Sequence, residues 1–268
     1  MSTNFNSVRV NAVNQLLDER SSARSWSLEG RVALVTGAAG GLGRAIVTEL
    51  RERGADVYGV DVVGDSAFQA DLSTASGNRC MVAQVLETAG RLDILVLNAG
   101  CQFVAPVDQF PDAEWGRLRA VNLDGPFFAL KAAWSALTKS PGGRVVVTAS
   151  ANSFGGTINK AAYTATKHGV LGLVRVAALE GAAHGLTVNA VAPGSMDTGM
   201  IRGQLEAQAA NRGISTDDVL ASFRAYQPGD RFIDVHEVAA VVGFLASPAA
   251  SAVNGACVPV DLGASASA

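Results

Sequence analysis

Arg31-Val32-Ala33-Leu34-Val35-Thr36-Gly37-Ala38-Ala39-Gly40-Gly41-Leu42-Gly43-Arg44 is the stretch that decides the fold. Its first six residues are an apolar, β-rich run ended by glycine, the pattern of a buried strand, and a helical run from Ala45 to Arg53 follows. Strand, glycine turn and helix in this order make a phosphate-binding arrangement. The glycines let the backbone turn tightly and approach a pyrophosphate, while the helix start offers unpaired amides and the positive end of its dipole. A second strand, Asp56 to Val60, ends in Asp61. A carboxylate there accepts both ribose hydroxyls of an adenosine and repels a 2'-phosphate. The turn has no lysine or arginine before Arg44, so the expected cofactor is NAD rather than NADP.

Working outward, strand-like runs at Ala67-Ala70, Asp93-Leu97, Arg144-Thr148, Thr187-Ala190 and Cys257-Val260 alternate with helical ones. That alternation predicts an α/β fold: a single-domain, Rossmann-type, doubly wound parallel sheet of about seven strands with helices on both faces. Ligands of such sheets bind beyond the carboxyl ends of the strands, and Gly37, Asn98, Ser150 and Pro193 all follow such ends. Only Val62 to Ala70 separates Asp61 from Asp71, too short for a full crossover helix, so that connection is trimmed.

The second informative stretch is Tyr163-Thr164-Ala165-Thr166-Lys167. Residues four apart share a helix face, so the Lys167 ammonium stands beside the Tyr163 phenol. A free phenol titrates near pH ~10 and is a poor base at neutrality, whereas a neighbouring cation favours its ionised form. Ser150, upstream, is placed to hydrogen-bond a substrate oxygen as charge builds on it.

Jointly these motifs resemble the short-chain dehydrogenase/reductase family from about Leu28 to Gly263. Thr36-Gly37-Ala38-Ala39-Gly40-Gly41-Leu42-Gly43 matches T-G-x-x-x-G-x-G, Asp71-Leu72 matches the acidic residue at the adenine, and Leu97-Asn98-Ala99-Gly100 matches N-N-A-G with leucine in place of the first asparagine. The resemblance implies that Asn122, Ser150, Tyr163 and Lys167 are catalytic. It implies cofactor contacts from Gly37, Gly41, Leu42, Gly43, Asp61, Asp71, Leu72, Asn98, Ala99, Gly100, Tyr163, Lys167, Pro193, Gly194 and Thr198. The reaction implied is direct hydride transfer between a secondary alcohol and NAD: Tyr163 takes the alcohol proton, Ser150 steadies the developing carbonyl, Lys167 favours the phenolate and holds the nicotinamide ribose, and the main chain of Asn122 anchors a water that links Lys167 to solvent.

One subgroup of the family leaves further marks. Gln102, Lys160 and Gln204 resemble positions by which D-3-hydroxybutyrate dehydrogenases hold the substrate carboxylate, and Arg212-Gly213-Ile214-Ser215 resembles their mobile lid. A lysine and two amides near the tyrosine make a small anion pocket. Asn152 departs from the subgroup, which has histidine there, and this lowers the positive character of the pocket. The substrate expected is a short hydroxy acid such as 3-hydroxybutyrate. The alternatives are a ketoreductase or secondary-alcohol dehydrogenase with a bulkier neutral substrate and, more remotely, a non-catalytic dinucleotide sensor. A cover at about 197–231 has flexible points at Gly199, Gly203 and Gly213 and apolar lining from Met200, Ile201, Leu205, Leu220, Phe223 and Tyr226; Phe103, Phe154 and Met196 are candidates for direct contact.

Composition excludes other classes. The chain has 268 residues, about half of them apolar, and a formal charge of −3, so it buries a large core and shows no basic stripe for nucleic acid. Three unclustered cysteines and three scattered histidines suggest neither a disulfide framework nor a metal site; His168, His184 and His236 read as structural or surface residues. No apolar stretch approaches a membrane span, and the expectation is a cytoplasmic protein with no membrane partner. Residues 1–27 read as an N-terminal extension, a polar tail in which Val10, Val13, Leu16 and Leu17 have helical spacing, 28–263 as the oxidoreductase domain, and 264–268 as an Ala/Ser tail. The resemblance further implies a homotetramer, paired through Ala161 to His184 and Val235 to Ser247.

Overall fold

The structure is a computed structural model that describes residues 26–267 apart from Asp65 and Ala67. Residues 1–25, with the helically spaced Val10, Val13, Leu16 and Leu17, lie outside the described residues. Strands β1 (Val32–Thr36), β2 (Asp56–Asp61), β3 (Phe68–Gln69), β4 (Ile94–Leu97), β5 (Arg144–Thr148), β6 (Thr187–Pro193) and β7 (Cys257–Val260) form one seven-stranded sheet in the order β3-β2-β1-β4-β5-β6-β7. Every pairing is parallel. The order reverses direction between β1 and β4, and the crevice between their carboxyl ends is where such sheets bind ligands.

Side chains alternate faces along a strand, and here both faces are buried. In β1, Ala33 and Val35 point into one core and Val32 and Leu34 into the other; β4 divides Ile94 and Val96 from Leu95 and Leu97 in the same way. Helices α1 (Gly41–Glu52) and α9 (Val235–Ala246) cover the first face, through Ile46, Leu50, Val242 and Leu245. Helices α2 (Ala75–Ala89), α4 (Gly125–Lys139) and α5 (Ala161–Gly181) cover the second, through Met81, Leu130 and Val174, with the short α3 (Asp112–Arg119) preceding α4. A fully buried leucine or valine contributes roughly 1.5–3 kcal/mol, and two such layers fix the strand ends that carry the site.

Three boundaries that shape the site differ from expectation. Helix α1 starts at Gly41 rather than Ala45, with Gly40 in extended geometry before it, because the last glycines of the turn are themselves the first helical turn. Strand β6 continues to Pro193, paired with Val260 of β7, which carries the chain directly to the rim of the crevice. Strand β3 has two residues, paired to Val60 and Asp61, since the trimmed connection leaves no room for more. Between β6 and α9 lie the short α6 (Gly199–Arg202), α7 (Leu205–Arg212) and α8 (Thr216–Ala225). At the other end of the chain, residues after Gly263 form a 3-10 turn, Ala264–Ser267, where the Asp261 carboxylate accepts the Gly263 and Ser265 N–H groups.

Candidate active site

A cleft of about 1220 Å³ opens at the carboxyl ends of the strands. It begins at the glycine turn. Gly37 has φ +67°, and a Cβ there would lie 2.8 Å from the Ala99 Cα, while a Cβ on Gly43 would overlap the Gly37 carbonyl oxygen; only glycine permits that approach. The Thr36 hydroxyl accepts the Asn98 and Ala99 N–H groups at 3.0 and 3.1 Å, and the Asn98 carboxamide donates to the Thr36 carbonyl at 3.1 Å. The turn and the Asn98-Ala99-Gly100 segment are thus one rigid floor. At the end of β2, Asp61 accepts from the Ala39 and Val62 amides at 2.9 and 2.8 Å.

The chemistry-bearing side chains sit at the ends of β5 and α5. Ser150 caps the 3-10 turn Ala151–Ser153, its hydroxyl accepting the Asn152 N–H at 3.2 Å, and the Ser153 hydroxyl ties that turn to α5 by donating to the Lys167 carbonyl at 2.9 Å. Tyr163 and Lys167 occupy the first two turns of α5. The Lys167 ammonium, 4% exposed, donates to the Thr148 carbonyl at 2.6 Å and lies 5.6 Å from the centroid of the Tyr163 ring. Burial pushes the Tyr163 phenol up, against the Ser150 hydroxyl, which draws it down. Burial also brings Lys167 down to about 8. In this state the phenol is therefore governed by desolvation and Ser150, and the lysine that was expected to lower it is held by a carbonyl instead.

Of the site residues expected from sequence, all but Asn122 line this cleft: the glycine turn, Asp61, Asp71 and Leu72, Asn98 to Gly100, Ser150, Tyr163, Lys167, Pro193, Gly194 and Thr198, together with Gln102, Asn152, Lys160 and Gln204. Asn122 lies behind the wall in a π-type turn, Ala120–Asp124, where its carboxamide exchanges two 2.9 Å hydrogen bonds with the backbone of Cys101. Such widened turns recur at functional sites. Met196, Met200, Ile201, Phe223 and Tyr226 line the cleft. Phe103 does not, because its ring packs edge-on against Phe110 at 5.6 Å, and neither do Phe154, Leu205 or Leu220. His168, His184 and His236 are exposed.

Lys160 is 8% exposed, forms neither an ion pair nor a hydrogen bond from its ammonium among the described residues, and lies 5.2 Å from the centroid of Phe223 on α8. Burial lowers it to about 8. One carboxamide oxygen each of Gln102 and Gln204 is buried without a partner, and Asn152 accepts from the Thr157 hydroxyl at 3.1 Å. The structure adds Gln208, Arg212 and Ser222 to the lining; four-residue spacing from Gln204 is the sequence signal for the first two, and Ser222 has none. Outside the lining, Gln227, 1% exposed, donates to the Ser195 and Arg231 carbonyls at 3.1 and 2.8 Å and so ties the end of the cover to the Pro193-Gly194 rim.

Residues 31–209 match the family described as short chain dehydrogenase. The chain belongs to that family. It is 40% identical over 250 residues to an uncharacterized oxidoreductase of Bacillus subtilis, covering 87% of this chain and 97% of the other. It is 35% identical over 252 residues to the D-beta-hydroxybutyrate dehydrogenase of Rhizobium meliloti, covering 87% and 98%. The crystal structure of a levodione reductase superposes with a TM-score of 0.84 at 33% identity, covering 90% of this chain and 99% of that one. As a short-chain dehydrogenase the protein is an oxidoreductase acting on alcohol or ketone groups of small molecules with a nicotinamide dinucleotide. Its residues fit that cofactor: the first turn of α1 carries no acidic residue and no side-chain cap, which leaves its amides uncapped at the glycine-lined end of the cleft. No helix among the described residues is long and apolar enough to cross a membrane.

Proposed function

We propose that this enzyme interconverts the secondary alcohol of a short hydroxy acid, 3-hydroxybutyrate being the simplest, with the corresponding ketone, using NAD. The observation that carries this reading is Lys160: a buried ammonium without an acid, in the same cleft as Tyr163. An unpaired buried cation is costly, and a substrate carboxylate supplies the missing partner. The carboxamides of Gln102 and Gln204, each with an unpaired end, have both donors and acceptors to complete the hydrogen bonds of that end of the molecule.

Catalysis follows from the chain's own groups. Ser150 donates to the substrate oxygen, and Tyr163 takes its proton in oxidation and returns it in reduction. Lys167 supplies the positive charge that favours the phenolate once it leaves the Thr148 carbonyl, and Asn122 holds the π-type turn behind it. A bound nicotinamide would supply the hydride acceptor in oxidation and the hydride donor in reduction. Gly37, Gly41, Leu42, Gly43, Asn98, Ala99 and Gly100 would hold the dinucleotide phosphates and nicotinamide half; Asp71 and Leu72 would hold the adenine, and Pro193, Gly194 and Thr198 would close on the carboxamide. Asp61 supports NAD over NADP, since its carboxylate would face a 2'-phosphate. Val176 and Leu179 on α5, both exposed, support assembly into a homotetramer paired through Ala161 to His184 and Val235 to Ser247.

The test is absorbance at 340 nm with NAD or NADP and the separate enantiomers of 3-hydroxybutyrate, beside longer hydroxy acids and neutral secondary alcohols. Turnover of a hydroxy acid with NAD supports the reading; activity confined to neutral alcohols removes it.

A further inference from the structure

Beyond Lys160 the cleft continues along α7. Gln204, Gln208 and Arg212 are spaced four apart, so they lie on one helix face, and all three line the cleft. Gln208 is 5% exposed and its carboxamide forms no hydrogen bond among the described residues, but its polar atoms are not sealed from solvent. Arg212, about 6 Å further along the axis at the usual helical rise, donates to the Ser222 hydroxyl at 2.8 Å and has no acidic partner among the described residues. The acids that line the cleft, Asp61 and Asp71, are both at its dinucleotide end; of the other cations near the substrate end, Lys167 donates to the Thr148 carbonyl and Arg117 is paired with Glu114 at 2.6 Å. A buried lysine, a carboxamide and an exposed arginine therefore succeed one another along one wall, and among the described residues no carboxylate pairs with either cation.

We propose that Gln208 and Arg212 form a second subsite, which takes the distal carboxylate of a dicarboxylic hydroxy acid whose near carboxylate meets Lys160. The inference rests on the hydroxy-acid reading and extends it: the enzyme prefers an extended diacid to a four-carbon monoacid. One guanidinium with one amide suits a singly charged, planar carboxylate, for which Arg212 retains free N–H donors. Asn152, neutral and engaged with Thr157, adds no further charge near the first subsite. The preference therefore arises at the far end.

The experiment compares matched pairs with NAD: 3-hydroxyhexanoate against 3-hydroxyhexanedioate, and 3-hydroxyoctanoate against 3-hydroxyoctanedioate, on the parent and on Arg212→Gln, Arg212→Lys, Gln208→Leu and Lys160→Met. The expected result is a kcat/KM at least tenfold higher for one diacid than for the monoacid of equal length, residing in KM. That ratio falls about tenfold in Arg212→Gln and severalfold in Gln208→Leu, and is partly recovered in Arg212→Lys. A ratio near one in the parent, or one that Arg212→Gln leaves in place, overturns the subsite. If Lys160→Met still raises KM for monoacid and diacid alike in that case, only the second subsite has failed. If no acid is turned over, or Lys160→Met changes none of them, the hydroxy-acid reading has failed and the subsite with it.

Discussion

The Lys160 ammonium stands 5.2 Å from the centroid of the Phe223 ring, so the start of α5 and the cover helix α8 meet through a buried cation and an aromatic face. A cation over a ring gains about 0.5–2 kcal/mol, less than the cost of burying it without an acid.

Lys160→Met should therefore stabilise the free protein by about 1–2 kcal/mol, and raise Tm by about 2–8 °C for a chain of this size. Burial holds Lys160 at about 8 in the folded state, below the ~10.4 of an unfolded lysine. Its penalty is complete below pH 8 and fades as pH rises toward the unfolded value. The gain should accordingly be largest at neutral pH and shrink by pH 10. A variant less stable than the parent at pH 7 contradicts this account of Lys160.

The same group gives the substrate its pH dependence. Loss of the Lys160 charge above about 8 should raise KM for a hydroxy acid steadily between pH 8 and 10, with no such rise for a neutral alcohol of similar size. Parallel profiles for the two would show that the ammonium is not facing the acid.

Tyr163→Phe should lower kcat by about a thousandfold or more while NADH still raises Tm. The chain has three tyrosines, so the parent-minus-variant difference at 295 nm isolates Tyr163 in the free protein. Burial pushes that phenol up, and the difference signal should appear above pH ~10, the usual value. A signal centred near neutrality would mean that the free enzyme already holds a phenolate.

Much of this was legible in the sequence, and the reasons are specific. The run Val32–Thr36 reads as a strand buried on both faces because no polar residue interrupts it before Thr36, and the turn reads as a close approach because a side chain at Gly37 or Gly43 would strike Ala99 or Gly37. Tyr163 and Lys167 are legible because four residues on a helix define a face. Direction is less legible. Phe103 and Phe154 adjoin motif residues but turn away from the cleft, since adjacency in sequence does not say which way a loop side chain points. The burial of Lys160 depends on α8, more than fifty residues later, and a lysine at a helix start ordinarily reaches water. Gln227 was missed because its partners Ser195 and Arg231 belong to opposite ends of the cover, a relation that only the folded chain creates.

Gly194→Ala should disturb that tie. A Cβ there would overlap the Gln227 carboxamide oxygen and lie 3.0 Å from the Asp261 Cβ, and Gln227 is held in place by two carbonyls. A loss of about 1–3 kcal/mol in stability is expected, with weaker NADH binding by fluorescence titration; unchanged stability and affinity would show that the rim has room to move.

Asp61→Asn should shift cofactor use toward NADP. Removing a carboxylate that accepts the Ala39 and Val62 amides takes away repulsion of a 2'-phosphate, and the ratio of kcat/KM for NAD to that for NADP should fall at least tenfold. A parent that already prefers NADP would contradict the role given to Asp61.

The central claim, that a carboxylate is read by Lys160 beside a catalytic tyrosine, is tested most directly by kcat/KM for each enantiomer of 3-hydroxybutyrate against its methyl ester, on the parent and on Lys160→Met. The acid and the ester share the reacting carbon and differ in charge. The parent should favour the acid at least tenfold for one enantiomer, and the preference should collapse in Lys160→Met; an ester turned over as well as the acid, or a preference that survives the substitution, would show that Lys160 reads no carboxylate.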